Sequence, residues 1–68
     1  MLLVDARGLS CPEPLMMVSA AIKDHPGEKI QVLLSEPYSK ANVEKYVKNQ
    51  GKKVTVKETG SEFELIVE

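Results

Sequence analysis

Histidine and cysteine occur once each, tryptophan is absent, and the aromatic side chains are limited to Tyr38, Tyr46 and Phe63. One histidine and one cysteine do not make a metal-ligand set, and no cofactor loop accompanies them. A single cysteine forms no internal disulfide, which reads most simply as a cytoplasmic chain. The lack of a Cys-x-x-Cys pair removes the resolving thiol that a thioredoxin-like oxidoreductase needs. An excess of charge of one sign is missing too: the formal net charge is −1, which gives no whole-molecule field for nucleic acid. Long apolar runs are missing as well. The opening Met1-Leu2-Leu3-Val4 is interrupted by Asp5 and Arg7 with no basic region ahead of it, so it reads as neither a signal peptide nor a membrane span. With so few aromatics, the core of this 68-residue chain falls to Val, Leu, Ile and Met, and the length suits one domain, 1–68.

What is present is well punctuated. The compact apolar run Leu2–Ala6 reads as a buried strand ended by the Arg7-Gly8 turn signal. Over Pro12–Asp24, Leu15, Val18 and Ile22 recur at helical spacing, Met16, Met17 and Ala21 widen the stripe, and His25-Pro26-Gly27 stops it. Ile30, Val32 and Leu34 alternate with Gln31, Leu33 and Ser35, the pattern of a strand with one face buried. After Pro37, Ser39 is the expected cap of a second helix whose Val43, Tyr46, Val47 and Gln50 share a face, with Glu44 four residues before Lys48 and Gly51 as the stop. Val54 and Val56, the turn Thr59-Gly60-Ser61, and then Phe63, Leu65 and Val67 predict a closing hairpin. The order β-α-β-α-β-β, with a right-handed first crossover, predicts an α/β two-layer sandwich: a four-stranded mixed sheet with two helices on one face.

Chemistry concentrates at Cys11-Pro12-Glu13-Pro14. Proline is tolerated in the first turn of a helix, where amide hydrogens have no intrahelical acceptor, and Pro12 biases Cys11 toward the extended conformation of an N-cap. The expectation is Cys11 at the helix mouth, where the positive end of the helix dipole lowers a thiol pKa below its free value of about 8.5. Arg7 could add to that field, and Glu13 would oppose it if its carboxylate faced the sulfur. The bland alternative, a buried cysteine acting as a small hydrophobe, explains neither the two prolines nor the preceding turn. His25 is too far along the helix to serve Cys11 as a base, since fourteen residues at about 1.5 Å each span roughly 20 Å. It reads instead as a C-terminal residue meeting the last carbonyls. A lone activated thiol without base, metal or cofactor suits receiving a group and passing it on.

The stretch Asp5-Ala6-Arg7-Gly8-Leu9-Ser10-Cys11-Pro12-Glu13-Pro14-Leu15 resembles the TusA/SirA/YedF family of sulfur-carrier proteins, and the match runs from Val4 to the end of the chain. Gly27-Glu28, Gly51 and the Phe63 strand follow in the family's order. The resemblance implies a sulfurtransferase in which Cys11 carries a persulfide, with Arg7, Gly8, Pro12, Glu13 and Pro14 shaping the site. It also implies a cysteine desulfurase as donor and a later protein as acceptor; no feature of the chain requires more than transient contacts with them, and a monomer is expected. Two departures separate the chain from the tRNA-thiolation branch: Ser19 and Ala20 stand where basic residues are usual, and Ser35-Glu36-Pro37 replaces an acidic pair. Ala41-Asn42-Val43-Glu44-Lys45-Tyr46 looks more like the YedF-like branch, associated with selenium metabolism, in which the domain can precede a second one and this chain would be part of a longer protein.

Two other features have double readings. Lys45, Lys48, Lys52 and Lys53 could form a basic patch, but lysines near a helix C-terminus are favourable in themselves and no interleaved aromatics suggest base stacking. Met16 and Met17 could line a soft partner surface or fill the core. Three readings stay open: a sulfur carrier dependent on Cys11, a selenium or redox regulatory module, and a binding domain in which Cys11 is inert.

Overall fold

The computed structural model describes residues 1–10 and 12–68; Cys11 lies outside the described residues. The elements run β1 (Leu2–Asp5), α1 (Glu13–Asp24), β2 (Ile30–Leu34), α2 (Pro37–Asn49), β3 (Val54–Thr59) and β4 (Glu62–Val67). The sheet order is β1-β2-β4-β3, with β1 parallel to β2 and the other two pairings antiparallel. This is the expected mixed sheet.

Register explains why one face is a core and the other is not. Leu2, Ile30, Val67 and Val54 form one row across all four strands, and Val4, Val32, Leu65 and Val56 form the next. Side chains two apart on a strand share a face, so these rows lie together. They meet Val18, Ala21 and Ile22 of α1 and Val43 and Val47 of α2 in one hydrophobic cluster. Each fully buried Leu or Ile, such as Ile30, Leu34 or Leu65, contributes about 1.5–3 kcal/mol of transfer free energy. The alternate rows, Leu3-Gln31-Ile66-Thr55 and Asp5-Leu33-Glu64-Lys57, face away from the helices. Polar pairing occupies part of that open face, where the Gln31 amide donates to the Glu64 carboxylate and Lys57 stands opposite Glu64.

Several local expectations change. The α1 N-cap is Pro12, one residue later than the N-cap expected at Cys11, and Pro14 falls at the second helical position, where a missing N–H costs little. Pro14 is fully buried, so the inward stripe of α1 runs Pro14, Val18, Ala21, Ile22, and Leu15 packs at its edge. Met16 and Met17 do not widen it: they are 64% and 37% exposed, because they sit one and two residues round the helix from Leu15. The α2 N-cap is Glu36, not Ser39. Pro37 with its fixed φ opens the helix, and Ser39 is buried inside it. Gln50 is the exposed C-cap rather than a member of the buried face. Strand β1 ends at Asp5, with Ala6 buried just beyond it.

Candidate functional site

The segment leading from β1 to position 11 is a fixed turn. The Ala6 N–H bonds the Leu33 carbonyl at 2.9 Å, and the Leu9 N–H returns to the Ala6 carbonyl at 3.3 Å. Between them Gly8 has φ +80°, the value a type II turn needs at its third residue and one that L side chains rarely adopt. Two bonds fasten this turn to distant parts of the chain. Gly8 N–H donates to Ser35 Oγ at 2.7 Å. Arg7 donates through Nε and Nη2 to the two Asp5 carboxylate oxygens at 2.9 Å each, and through Nη1 to Glu62 Oε1 at 3.5 Å. Beyond position 11, Glu13 N–H bonds the Ser10 carbonyl at 3.1 Å and Met16 N–H bonds the Pro12 carbonyl at 3.0 Å.

Charge around the turn is largely internal. The Arg7 side chain, then its backbone N–H, hold the Asp5 carboxyl down to about 2, and Asp5 with Glu62 pushes the Arg7 guanidinium upward. Arg7, which could add to the field at the thiol, has its guanidinium matched by two carboxylates. Among the candidate site residues, Arg7 and Gly8 belong to the turn, Pro12 and Glu13 are exposed at the start of α1, and Pro14 is buried beneath it. Cys11 itself is the one candidate outside the described residues. Ser35 and Glu62, 27 and 55 positions from their partners, carry no local sequence signal; only the sheet register brings them to the turn.

Alongside lies an open groove of about 490 Å³ whose lining includes Leu15, Met16, Ala20, Lys23 and Tyr46. Tyr46 Oη donates to Ser19 Oγ at 3.1 Å, joining the two helices at the groove. The α2 lysines are partly paired: Glu44 takes Lys48 at 3.1 Å and Lys40 at 3.8 Å. His25 caps α1, its N–H on the Ala21 carbonyl, while Nδ1 lies 3.1 Å from Glu28 Oε2. No helix among the described residues is long and apolar enough to cross a membrane.

A four-stranded mixed sheet backed by two helices, with the cysteine motif at the start of the first, defines the class: a small SirA-like α/β sandwich. The same architecture appears in the crystal structure of the SirA-like protein from Desulfitobacterium hafniense, with a TM-score of 0.91, 23% identity and coverage of 98% of this chain and 95% of that one. The family described as Sulfurtransferase TusA matches residues 3–68, and the chain belongs to that family. A protein of Archaeoglobus fulgidus, named provisionally as a sulfur carrier, is 36% identical over 69 aligned positions, 98% of this chain and 94% of its own length. The sulfur carrier protein TusA of Pseudomonas paraeruginosa is 36% identical over 45 residues, 65% of this chain. That match spans only 57% of the Pseudomonas protein's length.

Proposed function

We propose that this chain is a sulfur carrier that accepts a persulfide sulfur on Cys11 from a cysteine desulfurase and passes it to an acceptor protein. The observation that carries the reading is the family match over residues 3–68, which contains the chain's one cysteine between an anchored turn and the first turn of α1. The Cys11 thiolate attacks the outer sulfur of the donor's cysteine persulfide. The donor's S–S bond breaks, its cysteine leaves as a thiolate, and Cys11 becomes the persulfide, so no external oxidant or reductant is consumed. Onward transfer repeats the step with Cys11 as the leaving thiolate. With Arg7 matched by Asp5 and Glu62, the reading looks to the amide hydrogens at the start of α1, rather than to a free guanidinium, for positive potential at that thiolate. The exposed methionines and the groove beside α1 offer a polarizable surface for transient contact with donor and acceptor.

Intact-mass measurement after incubation with a cysteine desulfurase and cysteine tests this. One or more added sulfurs, removed by reductant and missing from Cys11→Ser, are expected. No addition across several desulfurases would sink the carrier reading in favour of a regulatory or binding module, with selective reaction toward a selenium donor marking the regulatory one.

A further inference from the structure

The parallel ladder between β1 and β2 follows a constant offset: Leu2 N–H bonds the Lys29 carbonyl and Ala6 N–H the Leu33 carbonyl, each at 2.9 Å. The next donor in that series is Gly8, and the next acceptor would be the Ser35 carbonyl. By then the chain has left β2 for the α2 N-cap at Glu36, and the Gly8 N–H goes to the Ser35 hydroxyl at 2.7 Å. A side chain thus extends the ladder one step beyond its last backbone bond, from the residue just after β2. Ser35 is well placed to do so, being half-buried and following the fully buried Leu34. A short side chain with an acceptor oxygen is what this reach requires.

We propose that Ser35 is a positioning residue for Cys11: its hydroxyl fixes Gly8, and with it the path of the three residues that lead into the thiol. The inference rests on the carrier reading for its purpose, because a thiol that must meet a partner's sulfur in line gains from a fixed approach. Its effect on thiol reactivity can be read without any partner.

Ser35→Ala, Ser35→Thr and the wild type should be compared in the rate of Cys11 alkylation by iodoacetamide at fixed neutral pH, with thermal melts alongside. The Ala variant should react several-fold more slowly. The Thr variant, which keeps Oγ, should react at the wild-type rate, and all three should melt together. Equal rates in Ser35→Ala and wild type overturn the proposal. So does slowing that Thr fails to restore, or that tracks a lowered melting temperature, since Ser35 would then be merely structural. Sulfur loading of the same proteins by a desulfurase separates the two claims: a wild type that takes up no sulfur while the alkylation pattern holds defeats the carrier reading and leaves Ser35's influence on Cys11 standing.

Discussion

Gly8→Ala and Gly27→Ala form a matched pair that separates the stability of a turn from its use. Both glycines sit third in a turn closed by a backbone bond, Leu9 N–H to the Ala6 carbonyl for one and Glu28 N–H to the His25 carbonyl for the other. Their φ angles are +80° and +82°, and a Cβ at either would meet nothing within 4 Å. No clash enters, so the cost is conformational. The left-handed region disfavours an L side chain by roughly 1–2 kcal/mol, and alanine's less flexible unfolded chain does not reverse it. A net loss near 1 kcal/mol lowers the melting temperature of a domain this size by about 4–8 °C, and the two variants should fall alike in a thermal melt followed by circular dichroism. Alkylation should distinguish them, because Gly8 lies three residues from Cys11 and Gly27 at the far end of α1. Gly8→Ala should slow it several-fold and Gly27→Ala should not. A Gly8→Ala protein that melts like wild type would refute the turn geometry, and equal slowing in both would show that thiol reactivity follows global stability.

Leu65→Ala, at the centre of the inward rows, should cost about 2–5 kcal/mol, a large share of the roughly 3–10 kcal/mol expected for 68 residues, whereas Ile66→Ala on the open face should cost under about 1 kcal/mol; urea melts giving equal losses would mean that the two faces are assigned wrongly. Asp5 is held at about 2 against an ordinary 3.8. Its folded value is the lower one, so its contribution is complete above pH 3.8 and disappears as pH falls toward 2. The gap in melting temperature between wild type and Asp5→Asn should therefore close across that window, and a gap independent of pH would refute the pairing with Arg7. Cys11→Ser should abolish sulfur uptake while shifting a chemical melt by less than about 1 kcal/mol; a loss of several kcal/mol would make Cys11 a structural residue.

The fold was legible because its signals are local and periodic. Val54, Val56, Phe63, Leu65 and Val67 alternate as strands do, and Gly27 and Gly51 follow their helices. The misread positions share a different cause. Ser39 has the side chain of an N-cap, but Pro37 starts α2 two residues earlier and leaves Ser39 inside. Met16 and Met17 have the hydrophobicity of core residues, but α1 turns its inward stripe through Pro14, a residue that reads first as punctuation and only on packing as a buried apolar surface. At the site, the turn and its glycine could be seen in the chain. The partners that hold it, Ser35 and Glu62, depend on strand register, which a single sequence does not specify at that distance.

That division between local and long-range determinants also separates stability from chemistry. Among the described residues, the hydrophobic cluster draws on every strand and both helices. The segment before Cys11 is held instead by hydrogen bonds from strand ends: Ser35 beyond β2, Glu62 at the start of β4, and Asp5 at the end of β1. Bonds of this exposed, polar kind are individually worth little to global folding, and changes in them act first on local order. On the carrier reading, substitutions at Ser35, Glu62 or Asp5 would alter the approach to Cys11 while leaving the buried rows of the sheet unchanged.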